Sequence, residues 1–274
     1  MAKQLPVHTL VAYNTATSSE NKIHDDTVAA TLGFGGGLVP GVDVYAYLCQ
    51  PAVANWGADF LAGSLVTTRF GSPVYDGERV EVRASVDDDG VLRAGVHTPT
   101  GPGRAASATL EARLGDESTV PPGVARAEQP AAADRPPASP ASLAVDTVLG
   151  SFDWSIDAAD HATYLGDVRD ERSRTAELGL VHPGALLRLA NSVLSETVRL
   201  GPWIHVGSTI HHRRPVEIGE TIEVRGAVTD NREHKGHRFV DLDVVLVGTD
   251  GEARVWVEHT AIYEPRQLRA GATS

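Results

Sequence analysis

Pro73-Val74-Tyr75-Asp76-Gly77-Glu78-Arg79-Val80-Glu81-Val82-Arg83 returns further along the chain as Pro215-Val216-Glu217-Ile218-Gly219-Glu220-Thr221-Ile222-Glu223-Val224-Arg225, at an offset of 215 − 73 = 142. Both copies read Pro-Val-x-x-Gly-Glu-x-x-Glu-Val-Arg, seven matching positions at one offset. A second anchor, Pro40-Gly41, returns as Pro183-Gly184 at 183 − 40 = 143. Chance is a poor account of two anchors at nearly one spacing, so the chain contains two copies of one unit. Each copy is a loop, then a helix, then a run of strands.

The helices follow the Pro-Gly pairs. Proline suits a first helical turn, where its missing N–H has no partner to lose. After Pro40 the residues Val42, Val44, Tyr45, Ala46, Tyr47, Leu48 and Cys49 leave almost no polar face. Such a helix is a buried one. Pro51 is expected to limit it. After Pro183 the pattern is amphipathic: Leu186, Leu187, Ala190, Val193 and Leu194 oppose Arg188, Asn191, Ser195 and Glu196.

Strands follow each helix. Ser64–Phe70, Glu78–Val86, Leu92–His97 and Ala106–Leu114 alternate or carry β-branched residues, and so do Ile204–His212, Thr221–Thr229, His237–Val247 and Ala253–Tyr263. Asp89-Gly90 reads as a hairpin turn, and Pro99 to Gly103 as another break. A further short strand is expected in residues 5–13, a short helix at 25–32, a strand at 152–156, and irregular chain over 159–179. The fold class is α+β: in each unit an antiparallel sheet wraps one long buried helix. Pairing the two sheets edge to edge would remove exposed strand edges. The units span residues 1–116 and 146–274. Between them, residues 117–145 hold six prolines among Ala, Ser and charged residues. That composition predicts a linker, or a loosely packed strap that buries no core.

The chain has 274 residues, 42% of them apolar and 5% aromatic, with a formal charge of −12. A field of that sign disfavours nucleic acid and anionic membrane as main partners. No apolar run is long enough to span a bilayer, and Met1 to Pro6 has no apolar leader, so a soluble, cytoplasmic protein is expected. The lone Cys49 lies in an apolar run and reads as a small buried hydrophobe. There is no Gly-x-Gly-x-x-Gly after a strand and no phosphate-binding loop. His234-x-x-His237 lacks further ligands, so no metal and no cofactor are expected.

Chemistry gathers between Asn21 and Gly41. His24 lies in a polar loop, 41 − 24 = 17 residues before the helix start. An imidazole moves protons near neutral pH. Amides at a helix start stabilise charge developing on a carbonyl oxygen, and Gly41 lets a ligand approach them. Ser19 and Asn21 flank the histidine. Asp43, in the first helical turn, either complements the helix dipole or acts as a base. The basic cluster Arg213, Arg214, Arg232, Lys235 and Arg238, with His211 and His212, offers cations for phosphate groups.

These residues resemble the MaoC-like hydratases and dehydratases of the hotdog fold, and the duplication resembles their double-hotdog members. The resemblance rests on Val-Pro-Gly and Val-His-Pro-Gly at the helix starts, and on Pro-Val-x-x-Gly-Glu before the strands. The (R)-specific enoyl-CoA hydratases of that family carry Asp-x-Asn-Pro-x-His ahead of the helix. Ser19-Glu20-Asn21-Lys22-Ile23-His24 stands there, matching at Asn21 and His24, with Asp26 also in pattern. Ser19 replaces the aspartate. In the second copy Asp167 keeps the aspartate, and Arg172 replaces the histidine.

The resemblance implies hydration of 2-enoyl-CoA, or dehydration of 3-hydroxyacyl-CoA. His24, Ser19, Asn21 and Gly41 would be catalytic. Arg213, Arg214, Lys235 and Arg238 would bind substrate, with coenzyme A entering only as part of it. Two alternatives stay open: a non-catalytic acyl-CoA-binding subunit, and a thioesterase using Asp43. A homodimer, or a heteromer with another hotdog protein, is compatible with all three.

Overall fold

The computed structural model describes residues 2–98, 105–115 and 119–270. The expected break at Pro99 to Gly103 and the boundary after residue 116 fall outside these. In chain order the strands are β1 (Lys3–Gln4), β2 (His8–Val11), β3 (Ser64–Phe70), β4 (Arg79–Val86), β5 (Leu92–His97), β6 (Ala108–Leu114), β7 (Val148–Trp154), β8 (Ile204–His212), β9 (Ile222–His234), β10 (His237–Gly248) and β11 (Ala253–Glu264). The helices are α1 (Asp26–Thr31), α2 (Gly41–Trp56), α3 (Ala58–Ala62), α4 (Ala158–Asp167), α5 (Arg174–Glu177), α6 (Pro183–Thr197) and α7 (Arg266–Ala270).

All the strands join one antiparallel sheet, ordered β1-β4-β5-β6-β3-β8-β11-β10-β9-β7, with β2 also on β4. Read outward from the centre, the order is the same in both directions: β3-β6-β5-β4-β2 one way and β8-β11-β10-β9-β7 the other. The two units meet where β3 pairs β8, and there Thr67 faces Thr209. Their separation, 209 − 67 = 142, equals the spacing of the Pro-Val anchors. The midpoint of the seam is therefore where one residue meets its own copy, as a two-fold relation between the units requires.

The repeated motif is a turn that ties helix to sheet. Gly77 and Gly219 have φ of 75° and 88°, a conformation that favours glycine. The Tyr75 amide donates to the Glu78 carboxylate at 3.0 Å, and the Glu217 amide to Glu220 at 3.1 Å. Val39 N–H donates to Val74 O at 2.9 Å, and Val181 N–H to Val216 O at 2.8 Å. Thus Pro-Val-x-x-Gly-Glu starts a strand and also fixes the chain entering the helix.

The sheet curls around α2 and α6, which also pack on each other. Val42, Tyr45, Ala46, Leu48, Cys49 and Ala52 of α2 are buried, as are Leu186, Leu187, Ala190 and Val193 of α6. Close approach depends on Gly184. A methyl there would lie 2.7 Å from the Ala46 Cβ and against the Tyr164 hydroxyl. Gly184→Ala is expected to lose about 1–3 kcal/mol through overpacking, despite alanine's better helix propensity, and a fall in Tm measures it.

Three expectations are corrected. Pro51 does not end α2, which continues to Trp56. The ring forfeits one main-chain hydrogen bond, but burial of Ala52 and Val53 beyond it holds the helix on course. The stretch 159–179 is not irregular. Asp157 caps α4 by accepting from Ala159 and Asp160 amides, and the helix buries His161, Tyr164 and Leu165. The Pro-rich segment does bury apolar surface. Leu143 is fully enclosed, and Val124 packs on Val245 and Val247 on the sheet's outer face. Arg135 donates to Ser195 O, so the strap is fastened to the end of α6. Among the described residues no helix is long and apolar enough to cross a membrane.

Candidate active site

The His24 loop is held by a set of short polar contacts. Asn21 Oδ1 accepts from the Ile23 amide at 3.3 Å and so opens a short 3-10 turn, Lys22–His24. Buried Asn14 donates from Nδ2 to His24 O at 2.9 Å. The glycine run earns its composition at Gly37, where a Cβ would collide with His24 O; its amide donates to Asp26 Oδ1 at 2.7 Å. Asp26 therefore pins the glycine segment that passes over the histidine.

His24 Nδ1 lies 2.7 Å from Leu38 O. A carbonyl only accepts, so Nδ1 carries the proton and Nε2 presents its lone pair. Burial lowers the His24 pKa, partly offset by the Leu38 carbonyl and by Asp43. The imidazole is thus neutral at pH 7 and ready to accept a proton. Leu38 is two residues ahead of Pro40, so the bond that fixes the tautomer also sets the ring beside the start of α2.

His24, Asn21 and Gly41 line one apolar cavity of about 250 Å³, with Phe34, Val44, Phe70, Trp203 and Ile262 among its walls. Trp203 and Ile262 come from the second unit, as does Ile204 at the start of β8. Asn21 spans the gap between units: its Nδ2 donates to Trp203 O at 3.0 Å, and its Oδ1 accepts from Trp203 N–H at 3.2 Å. The same Nδ2 lies 3.5 Å from His24 Nε2. Asn21 therefore positions the imidazole against the other unit's main chain. A more polar cleft adjoins, sharing Asn21, His24, Pro40, Asn191 and Trp203 and adding Ser19, Glu20, Arg135 and Arg188.

The two helix starts differ. No side chain caps α2. In α6 the Gly184 amide donates to His182 Nδ1 at 3.1 Å. Leu38-Val39-Pro40-Gly41 corresponds to Leu180-Val181-His182-Pro183-Gly184, so His182 is the one inserted residue that turns an offset of 142 into 143. Around it His161, Tyr164 and Asp170 are buried, with the His182 Nε2 3.6 Å from the Asp170 carboxylate. The second copy of the site is filled by its own side chains. The first is open, and an open helix start keeps its amide dipoles available to a ligand.

Other candidates fall elsewhere. Ser19 lines the polar cleft, not the apolar cavity, and its hydroxyl accepts from the Asn21 amide at 3.1 Å. Asp43 lines neither; it is fully buried in an ion pair with Arg188 Nη2 at 2.7 Å and accepts from Thr15 Oγ1 at 2.6 Å. The structure does not bring the basic cluster to the site. Arg213 and Arg214 follow the far end of β8, whose first residue lines the cavity, and a nine-residue strand spans about 30 Å. Arg213 donates to Thr119 O, and Arg214 faces Asp250 and Glu252. Arg238 pairs with Glu264 at 3.1 Å, and exposed Lys235 sits in the β9–β10 turn with φ of 50°. His211 stacks on Trp256 and His212 packs on Phe60, both buried. Asp167 ends α4 and Arg172 is exposed.

Sequence reasoning missed three residues. Arg188 read as the solvent face of an amphipathic helix. Asn191, on the same face, has a buried Oδ1 with no hydrogen-bond partner and lines both cavities. His205 lines the apolar cavity and packs on Phe70 with ring centroids 4.7 Å apart. Its inward side followed from alternation along β8, but its neighbour Gly41 did not.

No protein-family model matches the chain, and a search of curated proteins finds no similar sequence. Solved structures do match. A MaoC domain protein of Chloroflexus aurantiacus superposes with a TM-score of 0.65 at 12% identity, over 97% of this chain and 95% of that one. A Mycobacterium tuberculosis protein described as a double hotdog gives 0.61 at 16% identity, over 96% of each chain. An oleoyl thioesterase of Lactobacillus plantarum gives 0.53 at 11% identity, over 96% of this chain and 98% of that one. With its mirrored strand order and paired buried helices, this chain has the double hotdog fold.

Proposed function

We propose that this chain is a MaoC-like hydratase that reversibly adds water to the double bond of a 2-enoyl-CoA thioester. One observation carries the reading: a neutral imidazole, its Nε2 lone pair met by Asn21 Nδ2 at a long 3.5 Å, shares an apolar cavity with the uncapped start of a buried helix. The acyl chain occupies the apolar cavity. The more polar thioester arm runs through the adjoining cleft, where Arg135 is a cation near the reacting end.

His24 Nε2 takes a proton from water as the water oxygen bonds to C3. The electron pair of the double bond moves toward the thioester oxygen, and the Gly41 amide stabilises the resulting enolate. Protonated His24 then returns its proton to C2. Dehydration is the reverse. No step calls for a cofactor.

The experiment follows crotonyl-CoA by enoyl absorbance and free thiol together. Loss of absorbance without thiol release is expected. His24→Gln is expected to lower kcat about 10²-fold, and the acid limb of kcat/KM in the native chain is expected below pH 6.5. Thiol release would support thioester hydrolysis instead. Binding with neither signal would support a non-catalytic acyl-CoA-binding protein, the reading favoured by Ser19, whose hydroxyl is held in a turn where the family has an acid.

A further inference from the structure

The cavity has a second histidine that the reaction above does not use. His205, on β8 of the second unit, is 7% exposed and lines the cavity opposite Gly41. A Cβ built on Gly41 would stand 3.2 Å from His205 Nδ1, so the two groups bound one small space. Nδ1 makes no hydrogen bond of standard geometry. The ring's other nitrogen is committed: Nε2 lies 2.9 Å from Ser208 Oγ, which lies 3.1 Å from His259 Nδ1.

This chain of three buried groups has two self-consistent hydrogen arrangements. In one, His259 Nδ1–H donates to Ser208 Oγ, Ser208 O–H donates to His205 Nε2, and His205 Nδ1–H lies on the Gly41 side of the ring. The reverse places a hydrogen on His259 Nε2, which is buried and has no partner. Each arrangement leaves one buried end donor unpaired within the protein, His205 Nδ1–H in the first and His259 Nε2–H in the second. Only the first sets that donor beside Gly41 at the cavity, where a ligand oxygen can pair it.

We propose that His205 is a catalytic residue: its Nδ1–H donates to the thioester oxygen beside the Gly41 amide, so that each unit supplies one donor to the developing oxyanion. No bond to His205 forms and its proton stays on Nδ1 throughout. Burial, with His259 alongside, holds the His205 pKa well below the ordinary histidine value, offset in part by a contact of the ring with the Gly207 backbone. The group is a neutral donor, which suits an oxygen that gains charge and must not be protonated outright.

The inference rests on the hydratase reading, and the test separates the two. The probe is [1-13C]butyryl-CoA, which has no double bond to hydrate and whose carbonyl resonance moves downfield when donors polarise it. Native protein is expected to bind it with a downfield shift. His205→Leu is expected to bind it with a clearly smaller shift and to lose about 10²-fold in kcat on crotonyl-CoA. His205→Asn, whose amide can place an N–H near the old Nδ1, is expected to recover much of both. If His205→Leu does not fold, Ser208→Ala serves: without its hydroxyl the Nδ1–H tautomer is no longer enforced, and the shift is expected to shrink.

A folded His205→Leu, or Ser208→Ala in its place, with native shift and native kcat overturns the inference and leaves the hydratase reading standing. Native protein that shifts the butyryl carbonyl in a His205-dependent way, yet hydrates nothing, keeps the contact and overturns the hydratase reading. Native protein that binds neither thioester overturns both.

Discussion

Arg188→Met is expected to lower stability by about 3 kcal/mol, the lower end of the loss for a broken buried ion pair, because Asp43 is wholly buried while Arg188 keeps 31% of its side chain exposed. The reason is the group left behind. Asp43 is wholly enclosed; its Oδ1 accepts from Arg188 Nε at 2.9 Å and Nη2 at 2.7 Å, and its Oδ2 accepts from Thr15. Removing the guanidinium leaves a carboxylate with one hydroxyl and the start of α2 for company. A helix dipole offsets only about 0.3–2 kcal/mol of that penalty. Arg188 also lies over the Tyr164 ring, 4.5 Å from its centroid, and methionine keeps much of that apolar contact. The pair links α2 of one unit to α6 of the other, so its loss also loosens the packing between units. In a chain of this size the fall in Tm should be on the order of 10 °C. Adding Asp43→Asn to Arg188→Met should restore most of the loss, because the unpaired charge is then gone. A fall under about 1 kcal/mol in the single variant would show that the carboxylate finds another partner. The same geometry argues against Asp43 as a thioesterase base: it faces neither cavity and its oxygens are occupied.

How far the sequence reached depends on what each feature rests on. β3, β5 and β8 begin and end where alternation places them, because a half-buried strand has a period of two that ordinary side chains spell out. The duplication was legible in Pro-Val-x-x-Gly-Glu, since a turn needing positive φ and a capping carboxylate tolerates few substitutes. α4 was not, because its polar exposed face outweighs the three residues it buries. The strap misled through composition: its prolines and alanines read as open chain, while a few scattered residues, Val124, Arg135 and Leu143, anchor it. The most informative clue went unread. The change of offset from 142 to 143 marks His182, and that residue decides which helix start is open. Arg188 and Asp43 are 188 − 43 = 145 residues apart, and nothing local signals that they meet. The contact of His205 with Gly41 depends on how two sheets join, so it could come only from coordinates.

Acid is expected to weaken this fold progressively from just below pH 6.5, well above the range where carboxylates titrate. His205, His212 and His259 are each enclosed in the fold, and burial is the largest cause holding their pKa values down, with His212 and His259 both at about 3. His212 is also disfavoured as a cation by His211 beside it. The sign follows from linkage. In the unfolded chain each histidine takes a proton near pH 6.5, whereas the folded form resists until much lower pH. Between those values the unfolded state binds more protons, so stability rises with pH and falls on acidification. The stabilising effect is complete above pH 6.5. By pH 5 the loss is about 2 kcal/mol for each of His212 and His259, roughly 4 kcal/mol together, and His205 adds to it in the same direction; this is a large part of an ordinary domain's stability. Denaturant unfolding at pH 7.5, 6 and 5 should show this decline. His212→Phe separates it from general charge repulsion. The His212 ring packs on Phe60 with centroids 5.2 Å apart and meets the Tyr45 hydroxyl at 3.4 Å, so phenylalanine keeps the packing and forfeits one long hydrogen bond. The variant should be slightly less stable than the native chain at pH 7.5 and more stable at pH 5. Parallel curves for the two proteins would show that His212 takes up its proton in the folded state, and would refute the assignment.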